Sequence, residues 1–367
     1  MAKHNAANER IKREYFLYLK EAKGRDEKSL DVVAKAINRF EVSTKFRDFK
    51  LFNKAQAMAF KSRLVEQINE QTGKPLSKAT IASTMRALQK FFEWLAGQPH
   101  YKSKLNYSDS HYFSVSEKDL RISRATREQP VPSMEQMHHV ISSMPAASDI
   151  EERNRAIVAL ILLTGVRDGA LVSLKLKHID IAEQRLDQDA REVQTKFSKT
   201  FQTWFFPVGG DAAEIIADWV GHLREDLLFG DDDPLFPQTR VKVGSNGFEA
   251  SGLDRKCWSN AGPVRAIFRE AFEAAGLKYH SPHSVRKTLA RLGQKLGLSI
   301  RAYKAWSKNL GHSNMMTTFS SYGDVPPDEQ AELIRGIGAR QENDDILHSP
   351  EVKRLLSIIS NQQNGHS

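Results

Sequence analysis

A histidine and an arginine lie three residues apart in the stretch HSPHSVRKT, residues 280–288. Ser281 is a typical helix N-cap residue and Pro282 suits the first helical position, so the sequence predicts that a helix begins here. His283 and Arg286 would then lie one turn apart on one face, near the positive end of the helix. Such a position is suited to holding a phosphate. The alternative is a capped surface helix whose histidine and arginine face water.

A second candidate cation follows the apolar stretch of ALILLTGVRDGALVSLKLKHID, residues 159–180. Its apolar periodicity breaks at Thr164 and Gly165, and Arg167 follows before the periodicity resumes. An arginine beside so much apolar surface needs an anion to satisfy its charge. The alternative is a structural salt bridge, for which Asp168 is the nearest partner.

Two lysines lie in AREVQTKFSKTFQTWFFPV, residues 190–208. Alternating residues on both sides of FSKT predict a β-hairpin with Lys196 and Lys199 at or near its turn. The tip of a hairpin can carry an ammonium group to a ligand. Lysines on edge strands are also a common device against aggregation, and that interpretation stays open.

The last candidate segment is NLGHSNMMTTFSSYGDVPP, residues 309–327. His312 follows a glycine, and Tyr322 comes ten residues later in a stretch rich in serine and threonine. A tyrosine hydroxyl can attack phosphorus if a cluster of cations and hydrogen-bond donors stabilises the charge that develops. Tyr322 is therefore a candidate nucleophile.

The composition narrows the class of protein. The 54 lysines and arginines exceed the 45 acidic residues and leave a formal charge of +9, which suits a polyanionic partner such as nucleic acid. A single cysteine, Cys257, excludes an internal disulfide framework and a thiolate zinc cluster. We find neither an apolar run of membrane-spanning length nor an apolar stretch for a signal peptide, so we expect a cytoplasmic protein without a membrane partner.

The length of 367 residues favours two domains. Residues 1–100 are predicted to form a helical domain, because apolar residues recur at helical spacing in four stretches. These stretches are 8–23, 28–42, 53–70 and 77–96. Residues 101–132 are polar and basic, end in two prolines, and are predicted to be a linker.

Residues 133–325 are predicted to form the second domain. Ser133 would cap its first helix, and a β segment is expected around 179–208 between groups of helices. The fold class is therefore mainly α with a small β-sheet (α+β). Residues 326–367 are predicted to be a helical tail, in which 346–360 has apolar spacing suited to docking on another surface.

The five motifs, in this order, resemble the catalytic set of the tyrosine recombinases, the phage integrase family. TGVRDGALVSLKLKHID resembles the first arginine box of the family, SPHSVRKT its His-x-x-Arg box, and LGHSNMMTTFSSYG its Leu-Gly-His and nucleophile segment. The resemblance covers roughly residues 130–325 by motif. It extends to the helical stretches before them through architecture alone, because the family places a helical core-binding domain before the catalytic one.

The resemblance implies a site-specific DNA recombinase that cleaves and rejoins strands through a 3′-phosphotyrosyl intermediate, without ATP, metal or cofactor. The implied partners are double-stranded DNA and three further copies of the chain, as a homo-tetramer on two DNA sites, with accessory DNA-bending or directionality proteins as further candidates. His280, His283 and His312 are not expected to bind zinc, since no acidic or thiolate ligand lies beside them at a metal-binding spacing. The implied catalytic residues are Arg167, Lys196, His283, Arg286, His312 and Tyr322.

Three departures from the family pattern stand out. Ala170 replaces the glutamate that usually comes three residues after the first arginine, and the interval from His312 to Tyr322 is one residue longer than in many members. Lys196 and Lys199 both lie near the predicted turn; Lys196 is preferred because it is expected to end the first strand, as the lysine of the family does.

Two alternative functions share this fold or chemistry: a DNA-binding regulator without catalysis, and a type IB topoisomerase that relaxes supercoils without exchanging partners. The tail also has two interpretations, since it could dock on a neighbouring subunit or pack on its own domain.

Overall fold

The computed structural model describes residues 4–69, 72–124, 130–244 and 247–312. The chain divides into two compact units, Met1–Thr126 and Arg127–Ser367. Among the helices described in these ranges, none is both long and apolar enough to cross a membrane.

The first unit is helical in its described part, and the four predicted helices are present. Asn5, Asp26, Asn53 and Ser77 each cap one of them by accepting a hydrogen bond from a backbone N–H of the first turn. The helices are α1 (Ala6–Leu17, continued by a π-helical turn over Tyr18–Ala22), α2 (Glu27–Ser43), α3 (Lys54–Glu66), α4 (Lys78–Ala96) and α5 (Glu117–Arg124).

A cluster of phenylalanine rings fills the centre of this unit. Phe52 stacks on Phe92 with ring centroids 3.8 Å apart, and Phe40 meets Phe92 edge to face at 5.2 Å. Phe113 stacks on both Phe52 and Phe92, at 5.5 and 5.6 Å. Each of these rings is at most 5% exposed, so the aromatic contacts form the packed core that orients the helices.

The first unit extends beyond residue 100, where the sequence predicted that a linker begins. Tyr101, Leu105 and Phe113 are buried in its core, and a 3₁₀ segment over Tyr107–Phe113 packs on α3 and α4. These apolar residues follow no helical period and stand among polar ones, so periodicity gave no signal of their burial.

The second unit is built around α7, which is buried along nearly its whole length. Residues 156–164 are all at most 3% exposed, which agrees with a helix that is apolar on every side. The helices in the described part of this unit are α6 (Met134–Ser143), α7 (Asp149–Thr164), α8 (Asp168–Leu171), α9 (Ala212–Glu225), α10 (Gly262–Ala274), α11 (Pro282–Lys295) and α12 (Ile300–Asn309). The predicted cap of α6 is confirmed, because Ser133 and Gln136 form a reciprocal capping box.

Two small antiparallel sheets accompany these helices. The first has the order β1–β2–β3, with Leu186 opposite Ile179 on one side and Thr203 on the other. The second is a hairpin of β4 and β5. The strands are β1 (Ile179–Asp180), β2 (Arg185–Gln188), β3 (Phe201–Trp204), β4 (Gln238–Gly244) and β5 (Gly247–Asp254).

The predicted fold class, mainly α with a small sheet, is confirmed. Strands β1 to β3 lie inside the predicted β segment at 179–208. The β4–β5 hairpin was not predicted, although Val241 and Val243 alternate with polar residues before the sequence Gly-Ser-Asn-Gly, and this pattern is a typical hairpin signal.

Replacing Phe113 with alanine tests whether residues 101–113 belong to the first unit. The substitution should lower the free energy of unfolding of this unit by about 3–5 kcal/mol, because it leaves a ring-sized cavity in the core. Hydrogen exchange of the α4 amides would measure this, since it reports opening of the first unit within the full chain. Tyr112→Ala is the matched control, because Tyr112 is 42% exposed. Equal effects of both substitutions would contradict the burial of this segment.

Candidate active site

Arg286 lies at the centre of the candidate site. Helix α11 begins at Pro282 with Ser281 as N-cap, as predicted, although the Ser281 side chain makes no capping hydrogen bond. The Arg286 side chain is 5% exposed, and its guanidinium donates to the main-chain oxygens of Gly165 and Leu310. One side chain therefore joins α11 to the ends of α7 and α12.

Gly165 gives this arginine one of its two carbonyl acceptors. It ends α7 in the left-handed conformation, with φ of 60°. A Cβ at this position would lie 3.0 Å from the Leu289 side chain and 3.1 Å from the Leu310 side chain. Glycine is thus favoured twice, by backbone conformation and by space.

Arg167 is half-buried and follows α7 by three residues. The alternative salt bridge with Asp168 is not formed, because Asp168 pairs with Arg265 at 2.7 Å. The Arg167 side chain makes no hydrogen bond or ion pair with any other residue of the described ranges. Burial lowers the pKa of Arg167. Burial, followed by the charge of Arg167, lowers the pKa of Arg286 to about 9. Two arginines whose charges act on each other, and which pair with no carboxylate of the described residues, favour a bound anion.

His312 lies beside the buried arginine. Its Nε2 is 3.4 Å from an Arg286 guanidinium nitrogen. Burial, followed by the charges of Arg286 and Arg167 and by His283 and Lys199, lowers the pKa of His312 to about 4. The imidazole is therefore neutral near pH 7.

His283 occupies the second position of α11, and its side chain is exposed. Desolvation by the neighbouring protein lowers its pKa most, followed by the positive charges of Arg286 and Arg167. The negative charge of Asp168 raises it. A neutral, accessible imidazole can accept a proton. The sequence offered Asp168 only as a salt-bridge partner for Arg167, whereas its charge acts on His283. Ala170, at the position of the family glutamate, is buried in the core.

The lysines lie on the long connection between β2 and β3. Strand β2 ends at Gln188, so Lys196 does not end the first strand, and that reason for preferring it was wrong. Lys196 lies in a short 3₁₀ turn with its Nζ 5.0 Å from the Phe197 ring centroid. The charge of Lys199 is among those that lower the pKa of His312. This electrostatic effect favours Lys199 as the lysine of the site, and Lys196 stays a prediction.

The predicted nucleophile, Tyr322, and the predicted tail, 326–367, lie outside the described residues. The structure brings together Arg167, Arg286, His283 and His312, with Lys199 in electrostatic range. The main-chain oxygens of Gly165 and Leu310 were missed by sequence reasoning, because backbone acceptors leave no signal in side-chain identity. The arrangement presents two fixed positive charges and two neutral imidazoles, which together can stabilise a phosphorus centre that gains negative charge.

The chain is similar to known proteins in sequence and in fold. The model of the phage integrase family matches residues 133–328. Tyrosine recombinase XerC of Escherichia coli (strain K12 / DH10B) is 28% identical over 250 residues, which cover 67% of this chain and 70% of the relative.

Solved structures of lambda integrase share the fold at low identity. A dimer bound to a COC' core site matches with a TM-score of 0.58 and 15% identity, covering 87% of this chain and 96% of the other. A tetramer bound to a Holliday junction matches with a TM-score of 0.55 and 16% identity, covering 83% and 77%. The family model spans more than half of the chain and includes every predicted catalytic position. The chain belongs to the phage integrase family of tyrosine recombinases, as its motifs predicted.

Proposed function

We propose that this protein is a site-specific recombinase that cleaves and rejoins double-stranded DNA through a 3′-phosphotyrosyl bond to Tyr322. The observation that carries the proposal is the convergence of Arg286, Arg167, His283 and His312, in which no carboxylate of the described residues pairs with either arginine. Such a site is suited to a phosphodiester, whose reaction adds negative charge at phosphorus.

In the cleavage step, the Tyr322 oxygen attacks phosphorus and forms an O–P bond, and the bond from phosphorus to the 5′-oxygen breaks. His283 accepts the tyrosine proton, and a hairpin lysine, Lys196 or Lys199, gives a proton to the leaving 5′-oxygen. The reverse sequence lets a 5′-hydroxyl attack the phosphotyrosine and restore a phosphodiester. The phosphodiester bond energy is retained in the protein–DNA bond, so the proposed reaction needs no ATP.

The arginines stabilise the five-coordinate phosphorus. Their planar guanidinium groups can each donate two hydrogen bonds to the non-bridging oxygens. Arg286 is oriented before DNA arrives by its bonds to Gly165 and Leu310, so little reorganisation is needed during reaction. Removing one preorganised donor of this kind costs about 100- to 1000-fold in rate in other enzymes. In the proposed mechanism the positive charges stand where other enzymes place a magnesium ion.

We extend the proposal to the assembly: a homo-tetramer on two DNA sites in the cytoplasm, with accessory DNA-bending proteins as additional partners. Lambda integrase forms a tetramer on a Holliday junction, which supports this extension. A groove of about 720 Å³ between β3 and α12 offers an apolar surface beside Lys308 and Asn309. The predicted helix at 346–360 would dock there, in a neighbouring subunit or in its own.

A two-site assay separates recombination from relaxation and from binding alone. We expect that a plasmid with two direct repeats of the preferred site loses the intervening DNA, whereas a plasmid with one site keeps its length. Agarose electrophoresis measures the product, and Arg286→Lys, which cannot reproduce both carbonyl bonds and a bidentate phosphate contact, should lower the yield strongly. Relaxation of both plasmids without deletion would indicate a topoisomerase, and binding without either product would indicate a regulator. Membership of the phage integrase family and the similarity to XerC do not favour these two alternatives.

The lowered pKa of His283 predicts the pH dependence of cleavage. A base must be unprotonated, and a pKa below the usual 6.5 moves the acid side of the profile to below pH 6.5. We expect the single-turnover rate at subsaturating enzyme, which reports the free enzyme, to fall to half of its plateau value only below pH 6.5. His283→Gln should be slower and lack this fall. A midpoint above pH 6.5, or the same profile in His283→Gln, would contradict His283 as the base.

A further inference from the structure

Asn309, the last residue of α12, bonds to strand β3 at the edge of the β1–β2–β3 sheet. The connection between β2 and β3 that carries Lys196 and Lys199, here called the lysine connection, leads into this strand. The Asn309 side-chain oxygen accepts from the Trp204 N–H at 2.8 Å, and its side-chain nitrogen donates to the Trp204 carbonyl, also at 2.8 Å. Strand β3 is the edge of the β1–β2–β3 sheet, so these are main-chain groups that β2 does not use. The Asn309 amide thus pairs with β3 as a neighbouring strand would.

A second set of contacts strengthens the same junction. The Thr203 hydroxyl donates to the Asn309 carbonyl at 3.1 Å and accepts from the Gln188 side chain, also at 3.1 Å. Thr203 is 1% exposed and Gln188 is 3% exposed, so both hydrogen bonds lie away from water. Through them, the end of α12 is bonded to both strands that carry the lysine connection.

The residues that follow Asn309 belong to the candidate active site. Leu310 accepts from Arg286, and His312 lies beside the same guanidinium. Between them, Gly311 has φ of 69°, and a Cβ on it would come within 2.7 Å of the Phe201 ring of β3. Residues 309–312 therefore contact both the sheet and the buried arginine, and the last of them, His312, is itself a candidate catalytic residue.

We propose that Asn309 is a positioning residue that fixes the lysine connection relative to Arg286 and His312. The inference rests on the proposed function, in which a lysine of that connection protonates the leaving 5′-oxygen. Lys199 precedes β3 by two residues, so a shift of β3 along α12 would move its ammonium group away from the leaving oxygen. A misplacement of about 1 Å can cost on the order of 100-fold in rate.

The leaving group distinguishes this role from general support of the fold. A substrate with sulfur in place of the 5′-bridging oxygen undergoes the same attack by Tyr322, but its P–S bond breaks to give a thiolate. A thiolate is stable near neutral pH and leaves without a proton from an acid. A defect in proton donation should therefore disappear with the sulfur substrate, whereas a defect in the arginine clamp or in folding should remain.

The test measures the single-turnover rate of covalent adduct formation by the full chain on paired oxygen and sulfur suicide substrates of the preferred site. Asn309→Leu removes both side-chain bonds at similar volume, and Asn309→Asp places an acceptor against the Trp204 carbonyl. We expect both variants to be roughly 100-fold slower than wild type with oxygen and close to wild type with sulfur. Ser299→Ala is the matched control, because it removes the cap at the opposite end of α12 and should give the wild-type ratio of the two rates.

Equal losses with both substrates, or no loss with either, would overturn the positioning role. Lys196→Ala and Lys199→Ala form the separate arm that tests the proposed acid. The lysine that donates the proton should show the largest oxygen defect and full recovery with sulfur. If neither lysine variant shows this pattern, or wild type forms no adduct with either substrate, the proposed mechanism itself fails and the role of Asn309 fails with it.

Discussion

The burial of the Arg286 guanidinium is the constraint on which the rest of the site depends. A buried cation must be compensated, and here the compensation comes from two main-chain carbonyls, at the ends of α7 and α12. Carbonyls at helix C-termini carry partial negative charge and usually lack an intrahelical partner, so they suit a guanidinium. Unlike a carboxylate, they do not neutralise it. The arginine is oriented by the fold while its full charge remains for an anion.

This choice of partner also determines the state of the histidines. Desolvation by the neighbouring protein and the field of two arginines lower the pKa values of His283 and His312, so both imidazoles are neutral near pH 7 before DNA is bound. A bound phosphate would offset part of the positive field and raise the affinity of the imidazoles for protons. In the proposed mechanism, the base thus becomes stronger when the substrate is in place.

Sequence reasoning succeeded where local rules decide the structure. A serine and a proline at 281 and 282 predicted the helix that presents His283 and Arg286, and the Thr-Gly break predicted the end of α7. It failed where tertiary packing decides. Phe113 is buried without any periodic signal, and the position of Lys196 was inferred from a strand that ends eight residues earlier, at Gln188. Asn309 had no signal at all, because an amide that pairs with a strand edge resembles any polar residue at a helix end.

Formation of a covalent bond between Tyr322 and DNA is the most direct test of the account. Wild type and Tyr322→Phe would be incubated, without added metal and with a chelator, with nicked or suicide substrates drawn from a random-site library, and SDS-resistant adducts would be collected and sequenced. The account predicts an adduct with wild type that is linked through a 3′-phosphate and is absent with Tyr322→Phe. Specific DNA binding without an adduct for any substrate geometry, or an adduct that persists in Tyr322→Phe, would contradict it.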